Sequence, residues 1–212
     1  ERLFVDDDAI RVPELLAAMK AEKAGASSAC PSPEEFAAFM REAEECVVIT
    51  LSAKLSGSYN AARVARDMVM EDFPEKKIHI FDSKSAAAGE LLLALYLKDC
   101  IDAGDDFETL VQKGEAHIRR THTLFVLEDL SNLVKNGRLN KVSGILASVL
   151  SLCPILGDDG KGEIKMVSKA RGNKMALNKL VELVKEYTAS VAPRSLLMVL
   201  AYCNCPARAE GM

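Results

Sequence analysis

The chain has 212 residues, 49% hydrophobic and 27% charged, with a formal net charge of −4. That is the composition of an ordinary globular protein, with enough apolar residues for one large core or two smaller ones. The acidic balance argues against nucleic acid or an anionic membrane surface as a general partner. No signal peptide and no apolar run of spanning length is visible, so stable membrane insertion is not expected. Cysteines stand at positions 30, 46, 100, 153, 203 and 205 without a C-x-x-C or zinc spacing. This usage reads as reduced thiols in a cytoplasmic protein, and no metal or other cofactor is expected.

In chain order, residues 11–24 carry apolar positions at Val12, Leu15, Leu16 and Met19, a helical spacing that "GASSAC" interrupts. A second helix starts at Pro33, with Ser32 as N-cap and Glu35 completing a capping box. "CVVITL" (46–51) reads as a buried strand, a helix is predicted over 58–70, and "KIHIFD" (77–82) as the next strand. Two helices follow, one ending at Gly104 and one opening on an Asp cap. This alternation predicts a parallel sheet with helices on both faces.

Beyond residue 121 the pattern changes. "TLFVLE" reads as a strand, then come two short helices broken at Asn136-Gly137, and a β-hairpin turning at "DDGKG". A helix over 172–189 and a strand over 195–202 complete the expected elements. The division expected is an N-terminal α/β subdomain over 1–122 and a second α/β subdomain, containing the hairpin, over 123–212. The chain opens on Glu1 and closes on "CPARAEGM", a pattern expected of a fragment or of missing ends.

One loop concentrates chemistry. Thr50, Ser52, Ser56 and Ser58 surround Gly57 where the first strand hands over to a helix. Hydroxyls there either cap the helix or, with its unpaired N–H groups, make a seat for a carboxylate or phosphate. The loop has neither G-K-[ST] nor G-x-G-x-x-G, which excludes the usual nucleotide cradles. There is no G-x-S-x-G, and nothing positions His79, His117 or His122 beside a serine. "SSACPSP", around Ser28, is a second hydroxyl-rich junction, and "SKARGNK", around Arg171, is a short basic cluster.

Taken in order, "SACPSPEEF", "ITLSAKLSGSYNAARVA", "IHIFDSKSAAAGE", "LEDLSNLVKNGRLNKVSGIL" and "LCPILGDDGKGEIKMVSKARGNKMAL" resemble the DegV family over nearly the whole chain. The family shows a Thr-Ser-Gln-Pro-Ser motif, a Leu-Ser-Gly-Thr-Tyr turn, a strand ending Asp-Ser, and a Lys-Pro-Ile-Leu hairpin in these places. The resemblance implies a two-subdomain α/β fold holding one long-chain fatty acid in an internal apolar tunnel. It also implies a binding protein rather than an enzyme, one that presents the acid to the catalytic subunit of a fatty acid kinase. Carried over by position, Ser56 is the carboxylate hydroxyl, Gly57 and Ser58 supply close-approach backbone, and Ser28 stands at the motif's Thr. Arg171 falls at an arginine associated with kinase docking. The family's opening Thr-Asp-Ser strand and its closing region with a histidine have no counterpart here, and Ala29, Cys30 and Cys153 depart from its motifs. The alternatives are a non-catalytic regulatory or interaction module that has lost its ligand and, further off, a serine hydrolase.

Overall fold

The computed structural model describes residues 3–22, 26–139, 152–192, 196–203, 205 and 209. Helix α1 spans Val12–Ala21 and α2 spans Pro33–Arg41. The predicted capping box is formed: the Ser32 amide donates to Glu35 Oε2 at 2.6 Å, and the Glu35 amide donates to Ser32 Oγ at 3.3 Å. Strand β1 (Glu45–Thr50) and strand β2 (Lys77–Asp82) pair in parallel, from Glu45 opposite Lys77 to Thr50 opposite Asp82. Parallel neighbours require a crossover, and helix α3 (Ser58–Asp72) supplies it.

Both faces of this two-stranded sheet are covered, which is why its strands read as unbroken apolar runs. Cys46, Val48, Ile78 and Ile80 face α2 and α3, packing with Met40, Ala62, Ala65 and Val69. Val47, Ile49 and Phe81 face helices α4 (Ala88–Asp102) and α5 (Phe107–Ile118), packing with Leu93, Leu97, Leu110 and Ile118. Asp106 caps α5 through the Thr109 amide, 2.8 Å from its Oδ1. The carboxyl ends of β1 and β2 open into the loops 51–57 and 83–87, where ligands of such sheets bind.

The second sheet is antiparallel in the order β3 (Leu124–Phe125), β4 (Leu152–Asp158), β5 (Ile164–Arg171). Helix α7 (Asn173–Thr188) covers one face, where Ile155 meets Ala176, Leu180 and Leu183. On the other, Leu156 and Leu139 pack with Phe125, Ile164 and residues around the short helix α6 (Ser131–Lys135). Gly137, at φ +76, ends that helix in the left-handed conformation.

Two expectations change, and a third is not reached by the described residues. The strand predicted at "TLFVLE" (123–128) is reduced to two paired residues; its ladder with β4 ends at Leu156, where β4 and β5 change register. The predicted strand over 195–202 is absent from the described residues 196–202. Apolar content alone does not make a strand; it needs a neighbour to complete its ladder, and here Leu197, Met198, Leu200 and Tyr202 stay exposed. The second helix predicted after Gly137 lies outside the described residues.

Candidate anion-binding site

The loop between β1 and α3 is tightly folded around Ser52, which is fully buried. The Ser52 carbonyl accepts from the amides of Leu55 (2.9 Å) and Ser56 (3.0 Å), and its Oγ accepts from the Lys54 amide (3.2 Å). Asp82, at the end of β2, accepts the Ala53 amide at 3.0 Å and the Lys84 amide at 3.1 Å. These bonds set Ser56 at the mouth of α3.

Gly57 is the helix N-cap and no side chain caps it. Ser56 Oγ lies 2.9 Å from Ser58 Oγ and accepts the Ser58 amide at 3.2 Å. Among the described residues, no protein group accepts from the amides of Gly57, Tyr59 and Asn60. The two sequence readings of these hydroxyls therefore separate. Ser56 bonds only the first helical amide, and the next two remain free for an anion, on the positive end of the helix. Gly57 is exposed, so nothing of its own blocks an approach to these groups.

Two further segments border this seat. Arg138, half-buried just past α6, donates from Nε to the Leu55 carbonyl at 3.2 Å and from Nη1 to the Asn136 carbonyl at 2.9 Å, bringing a positive charge beside Ser56. Asn136 Nδ2 donates to the Ala26 carbonyl at 2.9 Å, anchoring the stretch that carries Ser28. From that stretch it is Cys30 that reaches the seat: its Sγ lies 3.4 Å from where a Cβ on Gly57 would be. Ser28 itself is exposed.

Arg171 is not brought to this site. It ends β5, while the turn at the other end of the hairpin, 159–163, is the part that meets Ser52. Arg171 lies seven residue steps along the strand from Ile164, about 23 Å at the usual rise. The histidines are engaged elsewhere: His79 Nε2 lies 3.2 Å from Glu115 Oε1, His117 stacks on Tyr96 and His122 on Tyr187. Among the described residues no three His, Cys, Asp or Glu side chains gather as a metal site, and no helix is long and apolar enough to cross a membrane.

Ser85, Thr123 and Gly162, all engaged around this loop, escaped the sequence reading, which named Ser52 among the loop's hydroxyls without giving it a role. A faint signal existed in "DDGKG": a two-glycine turn has one glycine more than reversal of the chain requires, and a spare glycine often marks a close approach.

The DegV family profile matches residues 1–212. The chain belongs to the DegV family. A DegV domain-containing protein of Streptococcus pneumoniae is 37% identical over 186 residues, which are 87% of this chain and 66% of that protein. This DegV chain thus spans about two thirds of the length of the curated relatives it matches. Among solved structures, a DegV family protein of Ruminococcus gnavus with vaccenic acid superposes with a TM-score of 0.90 at 41% identity, covering 98% of this chain and 74% of that one. The Streptococcus pneumoniae fatty acid kinase (Fak) B3 protein, loaded with linoleic acid, superposes with a TM-score of 0.79 at 36% identity, covering 88% and 66%. The mixed α/β fold, with one parallel and one antiparallel sheet, is the DegV fold.

Proposed function

We propose that this chain binds a long-chain fatty acid, with the carboxylate on Ser56 and the α3 N-terminus, and presents it to a separate kinase subunit that forms the acyl phosphate. The observation that carries the reading is the seat itself: a hydroxyl, an open glycine and two helix amides without protein acceptors among the described residues. It stands in a chain whose structural neighbours hold vaccenic and linoleic acids. A carboxylate there gains charge-assisted hydrogen bonds and the helix dipole together.

The tail supplies most of the affinity in this reading. Each buried methylene contributes about 0.8 kcal/mol, so a dry internal tunnel holds the acid while the seat orients its head. Ser58 and Ser28 complete the proposed head-group contacts. The chain binds and presents; phosphoryl transfer belongs to the kinase, which Arg171 helps to dock.

Native mass spectrometry with organic extraction, on wild type and Ser56→Ala, tests this. Wild type is expected to carry a fatty acid. Removing one hydrogen bond to a charged group costs about 1.5–3 kcal/mol, so the variant binds roughly 10- to 100-fold more weakly. A wild-type protein that is empty and takes up no added fatty acid would overturn the reading in favour of an interaction module.

A further inference from the structure

The loop that carries the seat is tied to the second sheet by a closed ring of hydrogen bonds. Ser52 Oγ donates to the Gly162 carbonyl at 2.7 Å, and the Ser52 amide donates to the Ser85 carbonyl at 2.8 Å. Ser85 Oγ lies 2.7 Å from Thr123 Oγ1. The Thr123 amide donates to Asp158 Oδ2 at 2.6 Å, and the Asp158 amide returns to the Thr123 carbonyl at 3.1 Å. Asp158 leads into the hairpin turn that contains Gly162, which closes the ring.

The contact between Ser52 and Gly162 is a close one. Gly162 has φ +92, and a Cβ on it would stand 2.3 Å from Ser52 Oγ. Ser52 is fully buried with the turn in place, so its hydroxyl is cut off from water and takes the Gly162 carbonyl as its acceptor. The same residue holds the Ser56 amide through its carbonyl. One side chain therefore meets the hairpin while its backbone sets the seat.

We infer that Ser52 is a positioning residue that couples the carboxylate seat to the β4–β5 hairpin turn. The turn keeps Ser56 and the first amides of α3 in register for the anion; an occupied seat in turn holds the hairpin in place, since such coupling is reciprocal. The binding half of this statement rests on the fatty-acid reading above, whereas the tie between loop and turn does not.

The test uses Ser52→Ala and the near-isosteric Ser52→Cys, a weaker donor, with oleic acid and methyl oleate as probes and amide hydrogen exchange as a second readout. Ser52→Ala is expected to weaken oleic acid by roughly 3- to 10-fold, a usual range for coupling through a packed network, and Ser52→Cys by less. Methyl oleate, which brings no carboxylate, keeps its affinity, and in a Ser56→Ala background the Ser52→Ala effect disappears. Exchange rises together in 53–58 and 159–163 without ligand, and oleic acid slows both in wild type. Equal losses for acid and ester, or losses additive with Ser56→Ala, would overturn the positioning role. Faster exchange confined to one of the two segments would overturn the coupling. If wild type binds neither probe, the fatty-acid reading fails, and the exchange measurement still decides whether the tie exists.

Discussion

His117 presents a physical problem of its own: its Nε2 is buried and has no hydrogen-bond partner among the described residues. The ring stacks on Tyr96 at 4.2 Å between centroids, nearly parallel, on the α4–α5 side of the parallel sheet. Burial, and then the nearby Arg120 charge, hold its pKa below the ordinary histidine value. The neutral form is thus the folded form, and the unfolded chain takes up the proton first as pH falls. The contribution to stability is complete above the unfolded histidine value, about 6.5, and is lost as pH drops through the lower folded one. Urea unfolding at stepped pH is expected to show that loss in wild type. His117→Phe, which keeps a ring against Tyr96 and nothing to protonate, should flatten it; an unchanged slope would show that His117 does not cause it. The sequence places His117 late in a helix, but its isolation depends on Tyr96 from another helix, a contact local patterning does not encode.

Helix α5 lies against the sheet closely enough that one of its positions must be glycine. A Cβ on Gly114 would stand 2.6 Å from the Phe81 ring and 3.0 Å from Leu97 Cδ2. Phe81 is fully buried on β2 and Leu97 nearly so on α4, so neither has solvent to move into. Alanine would gain up to about 1 kcal/mol of helix propensity, while overpacking costs typically about 1–3 kcal/mol. Gly114→Ala is expected to lower stability on balance in chemical denaturation, and Phe81→Leu in the same chain to recover part of the loss. A stabilised single variant would mean that α5 shifts outward freely. Elements of this kind were readable to different degrees. The ends of α2, α5 and α6 follow from Ser32, Asp106 and Gly137, because capping acts over a few residues. The extent of β3 and the fate of 196–202 were not readable, because a strand is completed by a partner distant in sequence.

Across the whole molecule, the seat was legible as a run of hydroxyls around Gly57, but its surroundings were not. Cys30, Arg138 and Gly162 arrive from three separate parts of the chain, and only the folded arrangement brings them to loop 51–57. That arrangement also separates the two roles proposed above for Ser56 and Arg171. The hairpin meets the seat at its turn and carries Arg171 at its far end, about 23 Å of strand away. An exposed charge acts weakly beyond the Debye length of about 8 Å at physiological ionic strength, so Arg171 contributes little to holding a carboxylate on Ser56. In the proposed division of labour, Arg171→Glu leaves fatty-acid affinity within about twofold of wild type, since its charge is screened from the seat. The same variant is expected to depress acyl-phosphate formation by an added kinase subunit, with the loss growing at low salt, where reversed charge repels most. Titration of fatty acid alone and a coupled kinase assay over a salt series separate the two. Loss of fatty-acid affinity in this variant would place Arg171 in ligand binding, and full kinase turnover would remove it from the docking surface.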